Sequence, residues 1–154
     1  MNINYTIDLN GAKKHIIEVQ LQIDSQLKAG QCFWLPDWIP GSYLIRDFSK
    51  NIVLIEAFEE QSAVPLIKTG KSTWVLSQDV NKLIVNYKVY AWDLSVRSAQ
   101  FDEQHCFFNG SSVFLAIRGF EASRHDVTIL ATDHAREFTW KVATSLPVNS
   151  VNSF

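Results

Sequence analysis

The sequence predicts an all-β domain, either an antiparallel β-sandwich or one large curved antiparallel sheet, with at most short helices. Apolar and polar residues alternate with period two in several segments, turn signals separate these segments, and no long window shows an apolar period of about 3.6 residues. The chain has 154 residues and is 47% hydrophobic. We therefore expect one domain with a real core over residues 1–154.

The predicted strands follow one another with short connections. In residues 3–10 and 15–24 apolar side chains occupy every second position, and Asn10-Gly11 between them is a hairpin signal because both residue types accept positive φ. In residues 82–92 both faces are partly apolar, which predicts a central strand covered on both sides. Short helices are expected only near 41–50 and 120–124. The other predicted strands span 51–59, 64–69, 73–77, 112–117, 126–131 and 138–144.

The segment from Trp34 to Phe48, WLPDWIPGSYLIRDF, differs from these alternating strands. Its two prolines fix their own φ, and Pro40-Gly41 is a strong turn signal. We therefore predict a rigid, aromatic-rich loop, a kind of segment that commonly carries recognition. Its aromatic residues either close one end of the core or form an exposed patch that another domain covers; they are Trp34, Trp38, Tyr43 and Phe48.

Charge and hydropathy argue against two classes of partner. The net charge is −2 and basic residues form no stripe that could neutralise phosphates, so no nucleic-acid partner is expected. No apolar run approaches the ~20 residues that span a bilayer, so no membrane partner is expected either. The N-terminus, MNINYTIDLN, lacks a signal pattern. We expect a cytoplasmic location, with the periplasm left open.

Motifs for catalysis are absent from the sequence. It contains no His-Glu-x-x-His, no Gly-x-Ser-x-Gly and no glycine-rich phosphate loop, so no catalytic residue, metal ligand or cofactor is assigned to this chain. His134 and Glu137 form only a single His-x-x-Glu, which we interpret as a solvated loop. Cys32 and Cys106 are interpreted as free thiols, with a disulfide left open. Cys106 directly follows His105, and strand neighbours face opposite sides, so they should not form a nucleophile-base pair.

Two motifs carry a resemblance to a known family. The first comprises Pro36, Trp38, Pro40-Gly41-Ser42-Tyr43 and Arg46-Asp47-Phe48. The second lies within residues 87–115 and comprises Tyr87, Val89, Tyr90, Ser95-Val96-Arg97, Asp102, Phe108-Asn109-Gly110 and Leu115. Together they resemble the N-terminal domain of the glycyl aminopeptidase family over most of the chain. Asp37 and Ile39 depart from the pattern, which has an apolar residue and Thr there.

The resemblance implies a role within a larger enzyme. The family consists of zinc metallopeptidases with a thermolysin-like catalytic domain, often followed by a PDZ domain. By resemblance, this chain is the non-catalytic N-terminal β domain of a longer protein interrupted near Phe154, and zinc belongs to the catalytic domain. The complete protein would release small N-terminal residues, Gly or Ala, from peptides. The expected partners are the chain's own C-terminal catalytic domain and the peptide substrate; a homo-oligomer is left open.

The candidate residues of a substrate cleft or domain interface are Trp38, Tyr43, Arg46, Asp47, Arg97 and Asn109. Arginine presents a planar fork of donors that suits carboxylates and carbonyls. Arg46 and Arg97 could therefore hold a substrate terminus or the neighbouring domain, or each could pair internally with a carboxylate. An alternative function is a stand-alone β-sandwich module that binds carbohydrate or peptide through the aromatic loop.

Overall fold

The computed structural model describes residues 2–130, 132 and 140–148. Twelve strands dominate these residues: β1 (Ile3–Gly11), β2 (Ile16–Ile23), β3 (Cys32–Trp34), β4 (Ile52–Glu59), β5 (Ser62–Val64), β6 (Leu66–Lys68), β7 (Thr73–Leu76), β8 (Leu83–Tyr90), β9 (Ala99–Phe101), β10 (Cys106–Phe108), β11 (Ala116–Ile117) and β12 (His125–Ile129). Their helices are one turn of α-helix, α1 (Gly110–Val113), and two 3₁₀ helices, Ala12–Lys14 and Phe48–Asn51. The predicted all-β class is confirmed. No helix in the described part of the chain is long and apolar enough to cross a membrane.

The largest sheet has six strands in the order β12-β1-β2-β8-β4-β5. Its neighbouring strands are antiparallel except for β1 and β12, which run parallel. Period-two alternation places one face of every strand toward the core. One buried row, formed by paired residues, crosses all six strands: Val127, Tyr5, Leu21, Val85, Ala57 and Val64.

A second sheet of four antiparallel strands has the order β11-β3-β7-β6, and β9 and β10 form a separate pair. Phe33 and Trp74 from the second sheet and Phe101 from the pair are buried in the same core as the large sheet. The chain crosses from one sheet to the other at Pro65, which lies between β5 and β6. Because proline has no N–H, it suits a break in the ladder. Within the predicted strand 64–69 only β6 is a strand of its own, and Val64 is the last residue of β5.

The connection between β1 and β2 differs from the prediction. Asn10 and Gly11 belong to β1, and the turn is the 3₁₀ helix that follows. His15 supplies the positive φ, at 57°. Glycine adopts a positive φ at no steric penalty. In this longer loop, however, the residue with the positive φ is His15 and not Gly11.

Several shorter elements also differ from the prediction. Residues 112–117 begin in α1 and only Ala116–Ile117 form a strand, while 120–124 contain turns and no helix. Only Phe48–Asn51 of the region near 41–50 is helical. The described part of the predicted strand 138–144, residues 140–144, has no strand. The strands that sequence patterns missed, β3, β5, β9 and β10, have three residues each, too few to show alternation.

The strand β8 is central, as predicted, but it is not covered on both sides. Val85, Tyr87 and Val89 are buried, whereas Tyr90 and the following Trp92 are exposed. The apolar residues on the second face therefore reach solvent at one end of the strand. This end lies at the candidate site described below.

Both cysteines are free thiols, as interpreted from the sequence. Cys32 is buried and Cys106 is partly buried, while the neighbouring His105 is exposed. Burial raises the pKa of the Cys106 thiol to about 12. A thiol with so high a pKa is a poor nucleophile near neutral pH, which agrees with a structural role.

Candidate functional site

The first motif forms a closed loop, residues 37–47, which we call the aromatic loop. The Asp37 carbonyl accepts hydrogen bonds from the backbone N–H groups of Arg46, at 2.6 Å, and Asp47, at 3.2 Å. These bonds join the two ends of the loop. The Asp37 carboxylate in turn accepts a 2.6 Å hydrogen bond from Ser72 Oγ. The aspartate that departs from the family pattern therefore ties the loop to the chain before β7.

A turn shapes the tip of the aromatic loop, as Pro40-Gly41 predicted. Ser42 N–H donates to the Ile39 carbonyl at 3.1 Å, and Gly41 has φ 82°. Proline at the second position and a positive φ at the third define a type II turn. The Ser42 hydroxyl then accepts a 3.1 Å hydrogen bond from Arg46 Nε. The loop thus holds its own arginine in place.

The aromatic residues of this motif take both roles predicted from the sequence: some close the core and others are exposed. Phe48 is buried and Trp34 is partly buried, so these two belong to the core end. Trp38 is 54% exposed, and Tyr43 is fully exposed. Two further apolar side chains of the loop, Leu44 and Ile45, are exposed as well. The loop therefore exposes four large apolar side chains, of which Tyr43, Leu44 and Ile45 are consecutive.

The second motif supplies another exposed loop, residues 92–98, which we call the arginine loop. Its apolar residues Trp92, Leu94 and Val96 are all exposed. Asn109 supports this loop, because its side-chain amide donates to the Val96 carbonyl and its N–H donates to the Ser98 carbonyl at 3.2 Å. Asn109 was predicted as a cleft or interface residue; the structure gives it contacts that position the arginine loop.

The two motifs meet in space. The 3₁₀ helix Phe48–Asn51 contacts α1, and a cleft of about 220 Å³ opens between the two loops. We call the two loops and this cleft the rim. The cleft is lined by Arg46, Phe48, Lys50, Asn51, Tyr90, Trp92, Asp93 and Ser98.

Trp92 is fixed at the rim by the turn between β1 and β2. Its ring stacks on the His15 imidazole with centroids 3.8 Å apart. His15 Nδ1 donates to the Phe101 carbonyl at 2.7 Å, and the His15 carbonyl accepts from Ala91 N–H at 2.7 Å. No sequence pattern pointed to His15, since its contacts are with residues distant in the chain. The apolar character of Trp92 itself was visible in the sequence.

The internal arginine-carboxylate pairs considered from the sequence are not formed within the described residues. Asp47 lies next to Arg46 in sequence but pairs with Lys71, at 3.7 Å on the surface. Arg46 donates to Ser42 instead, and the exposed Arg97 has no carboxylate partner in the described ranges. Adjacency in sequence was not a guide here, since the two side chains have different partners. The structure thus places Trp38, Tyr43, Arg46 and Arg97 on the two loops of the rim. The two aromatic rings are exposed there, and neither arginine has a carboxylate partner in the described ranges.

A larger groove, of about 520 Å³, is lined in part by the second motif, including Asn109. Its walls are mostly apolar, with Tyr5, Phe108 and Phe114 among them, and Leu146 from the chain's own C-terminal segment also lines it. Its polar lining residues are Asn109, Glu121, His125 and Thr144. The rim is the better candidate site because residues of both motifs line its cleft.

No grouping of three or more His, Cys, Asp or Glu side chains in the described part of the chain could hold a metal ion. The pair His134 and Glu137 lies outside the described residues. The described residues therefore do not fit a zinc site, and no step of zinc chemistry is assigned to them.

Comparison with known proteins agrees with the two motifs. The family model of the Peptidase M61 N-terminal domain matches residues 4–154. The crystal structure of an aminopeptidase N family protein from Idiomarina loihiensis is similar, with 40% sequence identity and a TM-score of 0.79. That match covers 86% of this chain but 22% of the other chain, so this chain spans about one fifth of that protein. No curated protein matches the chain. These findings confirm the resemblance inferred from the motifs.

Proposed function

Because the chain belongs to the Peptidase M61 N-terminal domain family, we propose that it braces the catalytic domain of a zinc metallo-aminopeptidase and forms one wall of its substrate cleft. The enzyme would release small N-terminal residues, Gly or Ala, from peptides. Zinc bound in the catalytic domain would supply Lewis-acid chemistry and an activated water. The zinc ligands would lie in the catalytic domain, and this chain would contribute shape and contacts.

The observation that carries this proposal is the exposed apolar rim. The two loops of the rim, one from each family motif, expose seven large apolar side chains: Trp38, Tyr43, Leu44, Ile45, Trp92, Leu94 and Val96. Large exposed apolar patches usually mark a surface that another protein or a ligand covers. The hydrogen bonds that close each loop keep the set in a fixed arrangement, which lowers the entropy lost on contact.

The first test is to read the gene past Phe154 and assay its complete product. We expect a continuation with His-Glu-x-x-His and a downstream Glu, and hydrolysis of Gly and Ala p-nitroanilides. Trp38→Ala should lower kcat/KM about fivefold or more, which corresponds to ~1 kcal/mol of lost transition-state binding. Ile67→Ala is the matched control, because Ile67 is also 54% exposed but lies on β6, outside the rim. A stop codon after Phe154, or equal activity of Trp38→Ala and wild type, would contradict the proposal.

A second candidate function rests on the same exposed rings. Trp38, Tyr43 and Trp92 could stack on sugar rings or hold an extended peptide in a stand-alone module. Titration of the protein with oligosaccharides and peptides, followed by tryptophan fluorescence, distinguishes this function from the first. Saturable quenching that is lost in Trp38→Ala but kept in Ile67→Ala would favour the binding module.

A further inference from the structure

The cleft of the rim is lined by more cations than carboxylates, with Arg46 and Lys50 against Asp93. Arg46, Lys50 and Arg97 form no ion pair with any carboxylate in the described part of the chain. Asp93 is the one carboxylate among the residues that line the cleft. Most other described lysines, such as Lys28, Lys82 and Lys88, do have a carboxylate partner. Charges are arranged to be complementary across protein interfaces, so a cleft with more cations than carboxylates favours an acidic partner group.

Arg46 is prepared to bind a carboxylate. Its backbone N–H is held by the Asp37 carbonyl and its Nε by Ser42 Oγ. The Ser42 residue is itself buried. The two Nη groups keep their donors, and a guanidinium whose stem is already fixed loses little entropy when it binds a planar carboxylate. Lys50 lines the same cleft and can add a second charge-assisted hydrogen bond.

The size and walls of the cleft favour a single side chain over a separate small molecule. Its volume, about 220 Å³, lies below the ~300–1,000 Å³ of typical small-molecule sites. Tyr90 and Trp92 form apolar walls beside the cations. Walls of this kind exclude water from a bound charge pair, which strengthens the attraction between its members.

Resting on the function proposed above, we propose that this cleft binds the side-chain carboxylate of an Asp or Glu of the catalytic domain. The flanking residues Trp38, Leu94 and Val96 would pack against apolar side chains around that carboxylate. This arrangement has the usual anatomy of a protein interface, with a buried anchor surrounded by apolar contacts. The size of the related protein, of which this domain matches 22%, leaves ample chain to supply the acidic residue.

Zero-length cross-linking of the complete gene product with a carbodiimide tests the proposal. The reagent joins a lysine amine to a carboxylate only when the two are in contact, and mass spectrometry identifies the joined peptides. We expect Lys50 to link to one Asp or Glu beyond residue 154 of the same polypeptide. Arg46→Lys should add a second link to that carboxylate. Arg118→Lys is the control, since Arg118 is exposed, whereas Arg46 is half-buried, and it has no carboxylate partner in the described ranges and lies outside the cleft; it should add no link to that carboxylate.

Other outcomes overturn the proposal. Mixing isotopically light and heavy protein reveals links between copies, and a Lys50 link to a second copy would show that the cleft is a homo-oligomer contact. A link to Asp93 alone, or no link at Lys50 while other lysines react, would show that no partner carboxylate is seated. An active aminopeptidase that is sensitive to Trp38→Ala but lacks the link keeps the proposed function and loses this inference. A protein that shows the Lys50 cross-link but has no aminopeptidase activity keeps the contact inferred here and loses the proposed function.

Discussion

The hydroxyl of Tyr87 is the single polar group whose removal tests the core most directly. Tyr87 lies on β8, is fully buried, and donates to the Val113 carbonyl at 2.9 Å while accepting from Leu115 N–H at 3.3 Å. It therefore joins the large sheet to the chain that follows α1. Burial raises the pKa of Tyr87 well above its ordinary value, so the neutral hydroxyl is the form that makes these bonds.

Tyr87→Phe keeps the ring packing and leaves two buried backbone groups without their partner. An unsatisfied buried group costs ~1–3 kcal/mol. Because the bond to Leu115 is long, at 3.3 Å, its loss should lie at the low end of that range. We expect a loss of about 2–3 kcal/mol in the free energy of unfolding, or about 5–10 °C in Tm for a domain of this size.

Urea unfolding followed by tryptophan fluorescence measures this loss. Tyr43→Phe is the control, because Tyr43 is fully exposed and its change should stay within about 0.5 kcal/mol. The m-value should be the same in all three proteins, since the surface exposed on unfolding is unchanged. If Tyr87→Phe also stayed within about 0.5 kcal/mol of wild type, the hydroxyl would not satisfy those backbone groups and the reasoning would fail.

Three further predictions follow from the structure. Arg97→Ala should leave the free energy of unfolding within about 0.5 kcal/mol of wild type, because Arg97 is exposed without an ion pair in the described ranges. A marked fall in Tm would show instead that Arg97 forms an internal ion pair. Gly41→Ala should cost about 1 kcal/mol in urea unfolding, because φ is 82° there, and an unchanged midpoint would contradict the type II turn. The Cys106 pKa is raised to about 12 in the fold, so the unfolded chain loses this proton first and stability falls above about pH 9. Cys106→Ala should therefore lose less stability than wild type between pH 8 and pH 10.5, and equal losses would refute this.

The large sheet could be predicted because its information is local. In β1, β2 and β8 every second residue is apolar, and strand geometry alone sends those residues to one face. The three-residue strands could not be predicted in the same way. In β3, for example, Cys32 and Phe33 are both buried, so no alternation marks the strand and its partners β7 and β11 are set by the tertiary fold.

The candidate site likewise has some features that follow from local sequence and others that depend on tertiary contacts. The Pro40-Gly41 turn follows from two residues with special backbone preferences and was found from sequence. The hydrogen bond from Ser72 to Asp37 and the stacking of Trp92 on His15 join residues far apart in the chain, and no short motif encodes them. The motifs indicated which loops matter but could not show that they share a rim.

The rim shows local choices that stability alone does not explain. Asp37 and Ser42 each use a polar side chain or carbonyl to fix a loop whose outer residues remain in solvent. Ordering a loop in this way gains little when its apolar side chains stay exposed, because burial provides most of the free energy that offsets lost chain entropy. Local features that do not add to the stability of the fold usually mark a functional site. A fixed loop with exposed apolar side chains beside two cleft cations, Arg46 and Lys50, is what the proposed interface requires.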